Sequence, residues 1–140
     1  MRPPLFARRT DEQLVNPMAK TVNVRVRRVY EPAEPDDGQR VLVDRLWPRG
    51  LSKERARLDH WCKAIAPSNG LRKWYGHDPD RYAEFARHYR AELDDPERAA
   101  ALAQLRELTA DGPLTLLTAT KRSDISEAAV LADLLGAGSL

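Results

Sequence analysis

Leu114-Thr115-Leu116-Leu117-Thr118-Ala119-Thr120, running on into Lys121-Arg122-Ser123, is the stretch that decides the fold. Its apolar run is too continuous for a strand with one wet face, so it reads as a central strand covered on both sides. Asp124, with Glu127 three residues later, reads as a capping-box start to a last helix ending at Gly136. Val41-Leu42-Val43 gives a second run of the same central kind. Upstream of it, Val22, Val24 and Val26 alternate with Asn23, Arg25 and Arg27, the period-two signature of a strand with one buried face.

Between these strands the chain turns helical. Residues 31–38, with two prolines and a closing Asp-Gly, form a loop. Ser52 is expected to cap a helix through about Ala66, with Leu58, Trp61, Cys62 and Ile65 on one stripe. A short turn over 71–75 ends at Gly76. Asp78-Pro79 and Asp95-Pro96 each open a helix with a cap followed by proline. Tyr82, Phe85, Ala86, Tyr89 and Leu93 line the first, and Leu102, Leu105 and Leu108 the second, which Gly112-Pro113 stops. The order strand, strand, several helices, strand, helix predicts an α/β fold: a small parallel or mixed sheet of about three or more strands flanked by helices. An α+β arrangement with helices to one side is the alternative. Residues 1–20 hold three prolines and no period, and read as a flexible extension, with Met18 a candidate start; residues 21–140 then form a single domain.

Composition bounds the function. The 140 residues are 42% hydrophobic and 31% charged, a globular balance. No run of apolar residues reaches membrane-spanning length. The lone cysteine, Cys62, excludes an internal disulfide framework and a Cys-rich zinc module. Net charge is +2, but residues 40–73 carry nine Lys/Arg against three acids, while 78–111 carry five Arg against nine. The chain is dipolar rather than uniformly basic, which weakens a strong non-specific nucleic-acid role.

Ligands of open α/β sheets bind beyond the carboxyl ends of the parallel strands. The second strand ends in Asp44-Arg45-Leu46-Trp47-Pro48-Arg49-Gly50, and the third in Thr120-Lys121-Arg122 before a helix. If the two are parallel neighbours, these residues converge on one rim, where arginine forks and a helix amino terminus favour an anion. Asp44, as orienter or general base, and Lys121 are the catalytic candidates; Arg45, Trp47, Arg49, Thr120, Arg122 and His77 are the ligand-binding candidates. Each has a structural reading beside the functional one. Asp44 suits an ion pair with Arg45 or Arg49, Trp47 before Pro48 suits a core plug, and Arg122 a solvated loop. Leu71-Arg-Lys-Trp-Tyr-Gly-His77 interleaves bases with aromatics, either to stack a nucleotide or to anchor a short helix. His60, His77 and His88 have no metal-ligand spacing, so neither a metal nor a cofactor is expected. His60 and Cys62, two apart on the expected helix, point to different faces and do not form a nucleophilic pair.

Arg28-Val-Tyr30, Val41-Leu-Val-Asp-Arg-Leu-Trp-Pro-Arg-Gly50, Ile65-Ala-Pro-Ser68, Leu71-Arg-Lys-Trp-Tyr-Gly-His-Asp-Pro79, Leu116-Leu-Thr-Ala-Thr-Lys121 and Ala129-Val-Leu131 together resemble the bacterial YeaO-like proteins, catalogued as domain of unknown function 488. The resemblance spans about residues 24–135. It implies a compact cytoplasmic α/β domain, and the family brings no established activity or cofactor. Relatives commonly follow the lysine with an acidic residue and then one or two histidines; this chain has Arg122, Ile125 and Glu127 there. The first functional expectation is therefore a site for an anionic small molecule at the strand ends. The alternative is a nucleic-acid or nucleoprotein module on the basic 40–73 surface, and a third is a partner subunit without a small-molecule site.

Overall fold

The computed structural model describes residues 23–137. The extension over 1–20 and the strand position Val22 lie outside the described residues. In chain order the elements are β1 (Val24–Arg28), β2 (Gln39–Leu42), α1 (Lys53–Ala56), β3 (His60–Trp61), α2 (Asn69–Tyr75), α3 (Tyr82–Glu92), α4 (Pro96–Ala110), β4 (Leu114–Thr118) and α5 (Glu127–Ala137). Short 3-10 turns, Lys63–Ile65, Pro79–Arg81 and Ser123–Ile125, precede α2, α3 and α5. None of the helices among the described residues is long and apolar enough to cross a membrane.

The fold is α/β, and its sheet is parallel throughout, in the order β1-β4-β2-β3. The two apolar runs are its inner strands. Val41, Leu42, Leu114, Leu116 and Leu117 are fully buried because both faces are covered. Val41, Val43, Leu114 and Leu116 pack under α2 to α5 with Phe85, Tyr89, Leu105 and Leu131. Leu42 and Leu117 point the other way, onto Val29, Leu51, Ala56, Trp47 and Trp61. At the edge, the alternation of β1 holds, Val24 and Val26 packing on the core and Arg25 and Arg27 turning to Asp37, with every position half-buried.

The helix expected from Ser52 to Ala66 is the main correction. Ser52 does cap, its hydroxyl accepting from Arg55 N–H, but α1 ends within one turn at Arg57, whose φ of 49° is left-handed. The chain then pairs with β2, Val41 opposite His60 and Leu42 opposite Trp61, as a fourth strand. The apolar spacing of Leu58, Trp61 and Ile65 fitted a helix, but the open edge of β2 offers hydrogen bonds that a local pattern cannot reveal. His60 and Trp61 are consequently strand residues, and Cys62 is the residue that leads into the 3-10 turn Lys63–Ile65, rather than all three lying on a helix. The 71–75 turn is the end of a true helix, α2, capped by Ser68 and closed by Gly76 at φ 54°.

The amino-terminal end of the sheet is fastened by one buried carboxylate. Asp37, 1% exposed, accepts from Arg40 (2.6 Å), Arg25 (2.9 Å) and Arg27 (3.0 Å), and from the Glu34 N–H (2.9 Å). Burial alone would raise its pKa; the Glu34 N–H and the Arg40 and Arg27 guanidiniums outweigh that and hold it below the ordinary aspartate value. Arg40 carries the tie onward, donating to the carbonyls of Ala56 and Arg57.

Gly38, next to Asp37, has a φ of 66°, and a Cβ there would sit 2.1 Å from the Pro113 carbonyl oxygen. That oxygen cannot yield easily, because it accepts the Gln39 N–H at 3.0 Å. Gly50, at φ 74°, has open space instead. Gly38→Ala should therefore cost about 2–5 kcal/mol, a left-handed backbone penalty plus overpacking. Gly50→Ala should cost only the conformational part, about 1–2 kcal/mol. Urea unfolding of the two variants beside the parent checks this, and equal losses would refute the close approach.

Candidate functional site

The register between β2 and β4 builds the site. Leu42 lies opposite Leu117, and the Val43 N–H continues the ladder to the Leu117 carbonyl at 3.1 Å. One residue further the strands part, and Asp44 reaches across the gap. Its Oδ1 accepts from Thr118 Oγ1 and its Oδ2 from the Ala119 N–H, both at 2.8 Å. Thr118 Oγ1 in turn accepts the Thr120 N–H at 3.2 Å. Asp44 is thus fixed to the end of β4 and has no ion pair with Arg45 or Arg49 among the described residues.

The parting strands open a cleft of about 370 Å³, within the size range of small-molecule sites. Asp44, Arg45, Trp47, Arg49, Thr120 and His77 of the sequence-predicted set all line it. The segments near 45 and 120, distant in the chain, do meet at one lip. Lys121 and Arg122 are exposed and outside the lining. Arg122 is held by Asp124, in two bonds of 3.0 and 2.9 Å.

The loop after β2 is pinned from its backbone. Trp47 Nε1–H donates to the Leu51 carbonyl (2.6 Å), Trp61 Nε1–H to the Asp44 carbonyl (2.8 Å) and Tyr30 O–H to the Arg49 carbonyl (2.9 Å). The two indoles meet edge to face at 5.3 Å. Trp47 is therefore half a core plug, with its remaining surface turned to the cleft. Arg45 and Arg49 stay exposed on this rigid loop, beside Leu46 at 70% exposure.

Across the cleft, Tyr75 stacks on Phe85 at 4.2 Å in the core and donates to the Ile125 carbonyl at 2.6 Å. Burial pushes its hydroxyl up to about 12, so it remains a donor. The interleaved bases and aromatics of 71–77 thus divide. Tyr75 anchors α2, Trp74 lies under the Arg81 guanidinium at 5.2 Å, and Arg72 and His77 face the cleft. His77 sits at φ 59°, a left-handed conformation uncommon for a side-chain-bearing residue.

Glu127 is the residue that sequence reasoning assigned to another task. The capping-box reading started the helix at Asp124, whereas α5 begins at Glu127 itself after a 3-10 turn. Its side chain enters the cleft and pairs with Asp44. Burial pushes the carboxyl well above the ordinary glutamate value. The hydrogen bond to Asp44 and that carboxylate's charge add to the shift, while its own backbone N–H and Arg72 oppose it. A helix start normally favours a carboxylate; here burial wins. Glu127 was legible as a first-turn residue of the helix after a central strand, a position that faces the strand ends in a parallel sheet.

Elsewhere, Glu34, Asp36 and Asp37 are close enough to suggest a cation site, but Arg25 and Arg27 already occupy their charge. Burial raises the Cys62 thiol, away from what a nucleophile needs.

Sheet and cleft define a small parallel α/β domain with a polar opening at its strand ends. Residues 23–138 match the family model described as the inactive DUF488-N3 subclade. Uncharacterised protein Rv3073c of Mycobacterium tuberculosis is 54% identical over 118 residues, covering 84% of this chain and 98% of that protein. Uncharacterised protein YeaO of Escherichia coli is 45% identical over 114 residues, covering 81% and 97%. The chain belongs to the YeaO-like DUF488 family. No solved structure matches it.

A raised native pKa means the folded chain keeps a proton that the unfolded chain loses. Stability therefore falls as pH rises from about 4.3, the ordinary glutamate value, towards the raised one. Glu127→Gln keeps a donor to Asp44 and removes this loss. Its melting temperature should gain on the parent's progressively as pH rises above the ordinary glutamate value. Parallel curves in a thermal series would show that the carboxyl is not held protonated.

Proposed function

We propose that this chain is a cytoplasmic, non-catalytic binding domain that takes an anionic small molecule, phosphate- or carboxylate-bearing, in the cleft beyond β2 and β4. One observation carries the reading. Arg45, Arg49 and Arg72 line the cleft, and no carboxylate among the described residues is in ion-pair reach of any of them. Arg25, Arg27, Arg40, Arg81, Arg98 and Arg122 each pair with an aspartate or glutamate. The other described arginines without an ion pair, Arg28, Arg55, Arg57, Arg87, Arg90 and Arg106, lie outside the cleft lining. Guanidiniums left without an acidic partner around a concave surface are forks for a phosphate or carboxylate.

Three points favour binding without turnover. The matching family model is described as inactive. Arg122, Ile125 and Glu127 stand where the resemblance to YeaO-like proteins implies an acid and histidines. Both oxygens of Asp44 are engaged by β4, which suits an orienter better than a general base. Lys121, exposed outside the lining, adds to the field that draws an anion in rather than to contact. The nucleic-acid alternative loses part of its surface: Arg40 is 4% exposed on Asp37, and Lys63 lies over the Trp61 ring at 4.4 Å.

Titration calorimetry with inorganic phosphate tests the proposal. Arg49→Ala and Arg72→Ala should each weaken binding about tenfold, the scale of one charge-assisted hydrogen bond. Both should leave unfolding free energy within about 0.5 kcal/mol of the parent, as surface changes do. Unaltered affinity in both variants would overturn the reading. So would retention of a single-stranded oligonucleotide at low salt with no phosphate heat, which would favour the nucleic-acid alternative.

A further inference from the structure

We propose that the cleft is two-ended and takes a small zwitterion, its anionic group on Arg45, Arg49 and Arg72 and its ammonium on the paired carboxyls of Asp44 and Glu127. The inference rests on the anion-binding reading above and specifies the other end of the ligand.

The cleft lining combines two opposed chemistries. Three guanidiniums belong to the loop after β2 and to α2, while two carboxyls share the gap between the end of β2 and the start of α5. An anion alone would satisfy the first set and be repelled by the second. A ligand carrying both charges satisfies both.

Asp44 is prepared for such a role. A carboxylate offers about four lone-pair positions. Thr118 Oγ1 takes one on Oδ1, and the Ala119 N–H takes one on Oδ2. The carboxylate is thereby oriented, with acceptor capacity left for Glu127 and for one further donor. Glu127 meets it from the first residue of α5. An ammonium carries three donors, enough to bridge both carboxyls and keep one for the Thr120 hydroxyl, which also lines the cleft.

Without ligand, the proton on Glu127 keeps two carboxyls compatible at close range. An entering ammonium brings its own positive charge, and the Glu127 proton then leaves to solvent. One cation replaces another, so the charge of the pair is balanced before and after. Binding should therefore release a proton and tighten as pH rises, provided the amine itself remains protonated. The charged and titratable groups that line the cleft with Glu127 or lie in its field are Tyr30 after β1, Asp44, Arg45 and Arg49 after β2, Arg72, Tyr75 and His77 from α2 and its end, and Tyr89 from α3. The end of β4 contributes no ionisable group there. Histidine also changes charge near neutral pH, so the measurement is repeated in His77→Asn, since asparagine tolerates the left-handed backbone.

The experiment is calorimetry on the full chain with O-phosphoethanolamine and ethyl phosphate, which differ by the ammonium. Each titration is run in two buffers of different ionisation enthalpy. Phosphoethanolamine should bind about tenfold tighter, the scale of one charge-assisted contact. Its binding should release a proton, also in His77→Asn, and strengthen with pH. In Glu127→Gln the ratio of the two affinities should fall towards one and the proton release should vanish. Equal affinity for both probes in the parent would overturn the inference while leaving the anion site standing. An amine preference that survives Glu127→Gln, or comes without proton release, would also overturn it. Failure of both probes to bind would remove the anion reading as well.

Discussion

The pairing of Leu42 with Leu117 fixes where the two inner strands stop being partners, and the cleft is the consequence of that stop. As long as β2 and β4 share backbone hydrogen bonds, no side chain can lie between them. Beyond the Val43 N–H the ladder ends, and the Thr118 hydroxyl and Ala119 N–H need another acceptor. Asp44 supplies both oxygens. A slip of one residue would exchange the faces of β2, burying a different set and turning Asp44 away. The site geometry is therefore tied to the same apolar packing that stabilises the sheet.

The loop that leaves this point is exposed yet fixed. Its ordering comes from side chains that are not its own binding groups: Trp61 and Tyr30 hold its carbonyls, and Trp47 holds the Leu51 carbonyl. Arginine side chains are costly to order on a mobile loop because both backbone and rotamer entropy are lost. Pinning the backbone leaves only the rotamer part to be lost on binding. The tryptophans thus serve the cleft by rigidity as much as by contact.

Two carboxyls in this chain, Asp37 in the interior and the half-buried Glu127 in the cleft, show how neighbours decide ionisation. Asp37 and Glu127 are both pushed up by burial. Asp37 has three guanidiniums and a backbone N–H around it, and stays below the ordinary range. Glu127 has another carboxyl beside it and a more distant Arg72, and remains protonated well above that range. The first fastens the amino-terminal end of the sheet through Arg40 to the carbonyls behind α1. The second leaves the opposite end able to exchange a proton for another cation.

The amino-acid order alone determined the α/β class, the inner strands around Val41–Val43 and β4, and the start of α4 at Asp95-Pro96, whereas Asp78-Pro79 opens a 3-10 turn and α3 begins only at Tyr82. Those features rest on local chemistry: doubly covered apolar runs, caps and fixed proline φ angles. The strand-end location of Asp44, Arg45, Arg49 and Thr120 also followed, because parallel sheets of this kind place their loops on one side. Tertiary structure alone decided that His60–Trp61 would add a strand, since the deciding hydrogen bonds belong to the free edge of β2. It alone brought Glu127 to Asp44 and Arg72 to the same opening, while leaving Lys121 outside. Those placements depend on interstrand register and on where α5 begins, and neither leaves a period or a motif in the local sequence.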